Sequence, residues 1–247
     1  MTAMESDMLI TQLRELKLYG MMDAVESLVK LPVQMRPGLE GTVARLIEAE
    51  RRYRDDSIAA RLRKASKLPM HVAVEDVICS TARNLTNETL SSLADCSFIR
   101  NGENLIITGL TGTGKTYLGC ALGEQACLLG LKTLYLNMNR FIEILKQAKL
   151  DGTLNKLLTK IEKNKALLID DFGLQELTQE CRLALLTLLQ EMHEKGSLII
   201  ISQLPVDRWY DYLAEPTLAD AIMDRLVGSS HHVNLTGPSM RKRKIKL

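Results

Sequence analysis

The stretch "NLIITGLTGTGKTYLG", residues 104–119, decides the fold of this 247-residue chain. Its apolar start predicts a buried strand, its three glycines predict a tight loop, and the sequence that follows predicts a helix. Gly109, Gly114, Lys115 and Thr116 satisfy the pattern G-x-x-x-x-G-K-[ST]. A chance glycine-rich turn is the alternative, but the strand before the loop and the helix after it are the context that a phosphate-binding loop requires.

The chemistry of this loop predicts that it binds ATP together with Mg²⁺. Glycines let the backbone N–H groups turn inward around the phosphates, where the helix N-terminus adds partial positive charge. Lys115 would contact the β- and γ-phosphates, and the Thr116 hydroxyl would bind Mg²⁺. The predicted nucleotide-binding residues form one continuous segment: Gly109, Leu110, Thr111, Gly112, Thr113, Gly114, Lys115 and Thr116.

Polar side chains follow two further apolar runs of the sequence. "KALLIDDFG", residues 165–173, ends a predicted strand with Asp170 and Asp171, at the edge where α/β sheets place ligands. We expect Asp170 to reach Mg²⁺ through water and Asp171 to polarise an attacking water; a strand followed by an acidic turn is the alternative. "SLIIISQ" ends in Gln203, whose amide would orient water, although strand ends commonly carry a polar residue.

Strands and helices alternate along the second half of the chain. The runs "NLIIT", "KTLYLN", "ALLID", "LIIIS" and "HVNL" predict strands, and the intervening sequence predicts helices over 115–130, 139–163, 178–195 and 216–228. This alternation predicts an α/β fold with a parallel sheet flanked by helices on both faces.

The sequence before residue 101 has a different texture and predicts helices alone. We expect a small N-terminal all-helical domain over 1–67, in which Pro32 and the residues at 36–38 break one long helix, and Thr42 caps the next. A linker and a lead-in helix would then occupy 68–100. The nucleotide-binding domain would extend over 101–247 and end in a basic tail.

Composition excludes several classes of protein. The net charge of +2 is close to neutral, and the five cysteines are far apart, with no C-x-x-C pair, which indicates free thiols in a reducing compartment. No apolar run approaches the length of a membrane span, so we expect a cytoplasmic protein with no membrane partner. The four histidines lack cysteines at zinc-ligand spacing, and no G-x-S-x-G is present. A small-molecule kinase would need a lid and an acceptor site, and neither is recognisable.

With these elements in order, the chain resembles the IstB-like helper ATPases of bacterial insertion sequences, relatives of the DnaC helicase loaders in the AAA+ class. The resemblance covers nearly the whole chain. It is carried by "SFIRNGENLIITGLTGTGKTYLGCALG", "ALLIDDFG", "IIISQLPVDRWYDYLAEPTLADAIMDRL" and "GPSMR". The loop departs from the family pattern at Leu110 and Thr111, where relatives often have prolines, and at Tyr117, where histidine is common. None of these positions supplies a phosphate ligand through its side chain.

The resemblance implies a P-loop AAA+ core and roles for three further residues. Gln203 would be the first sensor, Arg225 the arginine finger that reaches the γ-phosphate of a neighbouring subunit, and Arg241 the second sensor. Active sites would therefore be shared between subunits of a homo-oligomer. Two alternatives remain at this stage: Arg225 would instead form a surface salt bridge with Asp220 or Asp224, and Arg241 would simply begin the solvated tail "RKRKIK".

The basic segment 45–67 suggests what the N-terminal helices contact. It holds eight Lys and Arg residues against four acids, a pattern that neutralises duplex DNA phosphates without reading bases. A solvated helix face with pairs such as Glu48–Arg52 is the alternative. The tail after residue 240 is a second basic patch.

The resemblance and the residues together predict an ATP-dependent helper of insertion-sequence transposition. The protein would assemble as an oligomer on duplex DNA, without sequence specificity, and would recruit or stimulate the transposase of the same element. ATP hydrolysis would control the assembly. A DnaC-like helicase loader, which is mainly an interaction adaptor, is the alternative, and a metabolic kinase is a distant third.

Overall fold

The computed structural model describes residues 3–240, with side chains from residue 7 onward. The chain divides into two compact units, Met1–Arg61 and Leu62–Leu247. Arg241 and the basic tail lie outside the described residues, so their predicted roles are not addressed by the structure. No helix within residues 3–240 combines the length and the apolar character needed to cross a membrane.

The first unit is helical, as the sequence predicts, but its helix boundaries differ from the prediction. It contains α1 (Ala3–Glu15), α2 (Tyr19–Val29) and most of α3 (Leu39–Ser66). The first predicted helix is interrupted because Lys17 adopts a left-handed backbone conformation, with φ of 58°, which ends α1. The proposed cap at Thr42 is wrong, because α3 begins three residues earlier, at Leu39.

A buried carboxylate joins two helices of this unit. Glu50 on α3 accepts hydrogen bonds from the backbone N–H groups of Gly20 (2.9 Å) and Met21 (3.3 Å), in the first turn of α2. These are N–H groups that have no partner within their own helix. Position 20 must be glycine, since a Cβ there would lie 2.3 Å from the carbonyl oxygen of Ala49.

The second unit is built on a five-stranded parallel sheet, so the predicted α/β fold class is confirmed. Its strands are β1 (Asn104–Gly109), β2 (Thr133–Asn137), β3 (Ala166–Phe172), β4 (Ser197–Ser202) and β5 (Ser230–Leu235). Their spatial order is β2-β3-β4-β1-β5, and every pairing is parallel. The carboxyl ends of all five strands therefore meet at one edge, and only β4 separates β1 from β3.

Helices connect these strands and cover both faces of the sheet. They are α4 (Asn87–Ala94), α5 (Ser97–Asn101), α6 (Lys115–Leu128), α7 (Met138–Leu150), α8 (Leu154–Glu162), α9 (Gln179–Met192), α10 (Trp209–Leu213) and α11 (Pro216–Val227). The helix predicted over 139–163 is two helices, because Gly152 turns the chain with a φ of 66°. The short helix α10 was not predicted.

The alternation of side chains along β1 produces two hydrophobic cores. Ile106 faces the core formed with α7, α8, α9 and α11, whereas Leu105 and Ile107 face the core formed with α4, α5 and α6. All three residues are at most 1% exposed. Such strands, buried on both faces, read in the sequence as continuous apolar runs.

The segment 68–100 was predicted as a linker and a lead-in helix; the helix is present as α4, but the part before it is packed into the α/β unit. Leu68, Val72, Val77 and Leu85 are buried in the core that also contains α6. Apolar residues in this segment alternate with polar ones over a few positions and lack the helical period, so the sequence read as a connection. In the structure, these residues close one side of the α/β unit.

Candidate functional site

The loop between β1 and α6 has a backbone that only glycine allows at several positions. Gly109, Gly112 and Gly114 have φ values of 143°, 85° and 91°. At Gly109 the restriction is also steric, since a Cβ would lie 2.2 Å from the carbonyl oxygen of Leu235 on β5. The glycine pattern in the sequence therefore corresponds to real backbone requirements of the loop.

Hydrogen bonds inside the loop converge on one carbonyl group. The oxygen of Leu110 accepts from the Thr113 hydroxyl at 2.8 Å and from the Lys115 ammonium at 3.0 Å. Lys115 is only 7% exposed and occupies the first turn of α6. The loop thus places a buried cation at the positive end of a helix dipole, which is an arrangement that attracts anions.

Two carboxylates lie at the carboxyl end of β3, but their backbones differ. Asp170 continues the strand, paired with Asn137 of β2, and is 3% exposed. Asp171 has a left-handed φ of 58°, at a bulge where the pairing with β4 shifts between Ile169 and Phe172. A bulge of this kind redirects a side chain, and a left-handed non-glycine residue stores strain of about 1–2 kcal/mol. The two carboxylates are therefore held in different directions.

Asp170 is enclosed by hydrogen-bond donors. Its carboxylate accepts from the Tyr135 hydroxyl at 2.8 Å and from the Asp171 N–H at 2.8 Å, and it also bonds the Thr116 side chain. Burial nevertheless raises the pKa of Asp170, and the hydrogen bonds offset this only in part. The bond to Thr116 connects the two residues that the sequence assigned to the metal.

Asp171 and Gln203 each have one described side-chain partner. Asn137 donates to the Asp171 carboxylate at 2.6 Å. The Thr111 hydroxyl donates to the amide oxygen of Gln203 at 2.5 Å, so the end of β4 contacts the phosphate loop. Both Asp171 and Gln203 are partly exposed to the same cavity.

A cavity of about 800 Å³ brings most of the predicted site residues together. Those that line it are Thr111, Gly112, Gly114, Lys115, Thr116, Asp170, Asp171 and Gln203. Its volume is typical of pockets for small molecules. One chain therefore supplies a cation, a helix N-terminus and two carboxylates to one cleft.

Sequence reasoning missed one wall of this cavity. Met70, Val72, Ile78 and Arg83, all from the segment predicted as a linker, line it beside the loop. The apolar members give the cavity one hydrophobic side. The only signal in the sequence is the set of apolar residues in 68–78, which short linkers do not need. Nothing local marks Arg83.

Arg225 lies elsewhere on the described chain. It extends from the last turn of α11, donates to the Ala221 carbonyl at 3.0 Å and borders a small recess with Asn104 and Ser229. Arg225 is not among the residues that line the 800 Å³ cavity. Among the described ion pairs, none joins it to Asp220 or Asp224, the salt bridge considered as the alternative to an arginine finger.

The residues that line the cavity fit phosphates together with Mg²⁺ in their chemistry. Within residues 3–240, no group of three or more His, Cys, Asp and Glu side chains is placed to hold a metal. A hydroxyl and a carboxylate, from Thr116 and Asp170, are oxygen ligands that suit Mg²⁺, which takes its remaining ligands from water and phosphate. The glycine cradle and Lys115 suit those phosphates.

A parallel sheet with this loop after β1 and with carboxylates at the end of β3 defines a P-loop nucleotide-binding protein. The family model described as "IstB-like ATP binding protein" matches residues 11–247. The chain therefore belongs to the IstB-like ATP-binding family. Its resemblance to that family, inferred from the sequence motifs, is confirmed.

Individual relatives agree with this assignment. The chain is 36% identical, over 93% of each sequence, to the insertion sequence ATP-binding protein y4uH of Sinorhizobium fredii. Among solved structures it is similar to DnaI, with a TM-score of 0.56 and 22% identity over 67% of this chain and 91% of that one. It is also similar to the DnaC helicase loader, with a TM-score of 0.51 and 17% identity over 70% of this chain and 98% of that one. At these identities the solved structures establish the fold alone.

Proposed function

We propose that this protein is an ATPase that assembles on duplex DNA and assists the transposase of an insertion sequence. The observation that carries the proposal is the single cavity in which the loop cation Lys115 lies with Asp170 and Asp171. The insertion-sequence names of its relatives support the transposition role. The role of ATP hydrolysis is then to change the state of the oligomer, and not to produce ADP for metabolism.

The phosphate loop binds the phosphates through the N–H groups of Gly109–Thr116 and the Lys115 ammonium, and Thr116 and Asp170 are the residues that would hold Mg²⁺. When bound, Mg²⁺ supplies positive charge to the phosphate oxygens. The Tyr135 hydroxyl orients the Asp170 carboxylate and fixes the direction in which it accepts.

Asp171 is the residue placed to activate water. It is partly exposed to the cavity, and Asn137 holds its carboxylate at 2.6 Å. A carboxylate positioned in this way accepts the proton of an attacking water as the bond from the water oxygen to the γ-phosphorus forms and the bond from that phosphorus to ADP breaks, so that ADP and phosphate leave. Gln203, held by Thr111, lies at the same edge and orients that water.

The remaining charge is supplied by a second subunit. Arg225 lies outside the lining of the nucleotide cavity of its own chain, yet its position in "DRL" matches the arginine finger of the family. An arginine delivered by a neighbour stabilises the charge that develops on the γ-phosphate. Hydrolysis therefore depends on a homo-oligomer with shared active sites.

Duplex DNA contacts exposed arginines distributed along α3. Arg45, Arg51 and Arg61 are exposed, and none of them belongs to an ion pair among the described residues. Arg52 differs, since it pairs with Glu48 at 2.9 Å, the solvated pair that the sequence suggested. Unpaired arginines on one long helix suit a backbone of phosphates, with no base-specific reading.

Sedimentation tests this proposal with duplex DNA, single-stranded DNA or neither, each with ATP·Mg²⁺, ADP or no nucleotide. We expect large species only with duplex DNA and ATP·Mg²⁺ together. Replacing Arg45, Arg51 and Arg61 by Ala should make the slope of log K for DNA binding against log salt less negative, by up to about 3. Arg52→Ala should change this slope less. A preference for single strands, or no effect of DNA, would favour a helicase loader instead.

A further inference from the structure

Arg83 is a buried arginine that none of the motifs includes. It lies just before α4, is 8% exposed and lines the nucleotide cavity. Its guanidinium donates to the carbonyl of Ile78 and, at 2.8 Å, to the carbonyl of Thr113 in the phosphate loop. Its Nε is buried and has no hydrogen-bond partner among the described residues.

The charge of Arg83 has no acidic partner in the described part of the chain. The ion pairs between residues 7 and 240 do not include it, although arginine keeps its proton under all ordinary conditions. A buried cation is costly unless an opposite charge compensates it. Arg83 lines the cavity beside the loop, so the phosphates of a bound nucleotide would bring negative charge into the same cavity.

The bond to Thr113 also determines the direction of the next N–H group. The described residues contain no cis peptide, so the carbonyl of Thr113 and the N–H of Gly114 point to opposite sides of their shared peptide plane. With the carbonyl held by Arg83, that N–H is turned to the other side of the loop. Gly114 is required here as well, since a Cβ would lie 2.8 Å from the Arg83 guanidinium.

The turn that carries Arg83 is itself anchored to the chain after β5. The backbone N–H of Thr236 donates to the Arg83 carbonyl at 3.1 Å, and its hydroxyl donates to the Ala82 carbonyl at 2.9 Å. A few residues later, the N–H of Met240 donates to the Gly112 carbonyl at 2.8 Å. The backbone of Arg83 is therefore held in place by the segment after β5. The same segment also contacts the phosphate loop directly, through Met240.

We propose that Arg83 is a positioning residue of the nucleotide site, one that presets the Thr113–Gly114 peptide for the β-phosphate of a nucleoside diphosphate or triphosphate. This role rests on the nucleotide binding in the proposed function. Gly114 adjoins Lys115, whose side chain serves the β- and γ-phosphates, so the presented N–H belongs to the same end of the ligand. AMP lacks those phosphates and gains little from Arg83.

The test compares Arg83→Met and Arg83→Lys with the control Arg100→Met. Arg100 lies in the same lead-in region but is exposed, and its one described hydrogen bond is to the Asp95 carbonyl. ADP and AMP dissociation constants are measured by displacement of a fluorescent ADP, and thermal unfolding is measured without ligand. We expect Arg83→Met to weaken ADP about tenfold or more and AMP by less than about threefold. Arg83→Lys keeps the charge but not the planar fork, so its ADP affinity should be intermediate.

The outcomes separate the role of Arg83 from the binding of nucleotide itself. If the wild-type chain binds ADP and Arg83→Met binds it equally well, or loses ADP and AMP by the same factor, Arg83 has no positioning role. If the wild-type chain does not bind ADP, the proposed function fails and this role fails with it. Should Arg83→Met not fold, Arg83→Lys decides, since ADP binding equal to that of the wild type contradicts the proposal.

Discussion

The nucleotide cavity and the surroundings of Arg225 differ in how much of a site one chain can build. At the cavity, the loop, the end of β3 and the segment 70–83 already lie together, with Asp170 only 3% exposed. At Arg225 the guanidinium bonds the carbonyl of its own helix, beside a recess that shares no lining residue with the cavity. One chain therefore assembles the nucleotide-binding residues in its own cavity, whereas Arg225, the residue expected to be needed for turnover, lies outside that cavity.

The largest effect on ATP turnover should come from replacing Arg225, the residue outside the cavity. Arg225→Ala should bind ATP within about twofold of the wild type, yet its turnover should fall by about 10³–10⁵, the range measured for arginine fingers. ATP binding by displacement and phosphate release by a coupled assay measure the two quantities. Arg208→Ala, an exposed arginine outside α11, is the control and should keep both. Normal turnover in Arg225→Ala would show that Arg225 is not required for hydrolysis, which contradicts the role given to it here.

A smaller loss should follow inside the cavity. Asp171→Asn should retain ATP but hydrolyse it about 10²–10⁴ times more slowly, because the amide cannot accept the proton of water. Single-turnover measurement with bound ATP isolates that step. Asp211→Asn, an exposed carboxylate on α10, should turn over at the wild-type rate. Rapid hydrolysis by Asp171→Asn would remove Asp171 from the role of base.

Asp170 should show opposite effects on function and stability. Burial raises its pKa, so the folded chain keeps this proton to a higher pH than the unfolded chain. The free energy of unfolding therefore decreases as the pH rises from the ordinary carboxyl pKa to the raised one, and this loss is complete at higher pH. Asp170→Asn has no charge to bury and should weaken Mg²⁺-dependent ATP binding while raising the nucleotide-free Tm.

The measurement is thermal unfolding without nucleotide from pH 5 to 8. We expect Asp170→Asn to have a higher Tm than the wild type at the upper end of this range and to lose this advantage as the pH falls, because the wild-type carboxyl group becomes protonated. The wild type and Asp211→Asn should follow one another across the range. A lower Tm for Asp170→Asn at every pH would mean that its hydrogen bonds outweigh its burial.

The smallest effect concerns the contact between the loop and β4. Thr111→Val removes the hydroxyl that donates to Gln203 and should cost about 0.5–1.5 kcal/mol of stability, with turnover reduced by no more than about tenfold. Denaturant unfolding and steady-state hydrolysis measure the two effects. Thr187→Val is a matched control, because the one described hydrogen bond of that hydroxyl, to the Leu183 carbonyl, lies within its own helix. A turnover loss as large as that of Asp171→Asn would make Thr111 part of the catalytic set.

The strands and the phosphate loop were predictable because their signals are local. Buried parallel strands read as apolar runs in the sequence. Gly109 to Thr116 form one continuous motif between a predicted strand and a predicted helix, which is the context that a phosphate loop requires. Asp170 and Asp171 were predictable as a pair at a strand end. Their difference in backbone was not, because it depends on a bulge against β4.

The cavity wall at 70–78 and Arg83 were not predictable, because their partners are distant in sequence. Arg83 contacts Thr113, thirty residues later, and Tyr135 meets Asp170 thirty-five residues later. The same limitation explains the helix boundaries, where single left-handed residues such as Lys17 and Gly152 decide the break. Only Gly152 is of a type that announces such a turn.

The central claim is that one chain binds the nucleotide and a neighbour completes hydrolysis. The most direct test mixes Asp171→Asn subunits, which keep Arg225, with Arg225→Ala subunits, which keep Asp171. Each variant alone should be nearly inactive. The mixture should recover a substantial fraction of wild-type ATP turnover, since some interfaces combine an intact Asp171 with an intact Arg225. If a mixture that forms mixed oligomers stays as inactive as its components, the active site is not shared and the account is wrong.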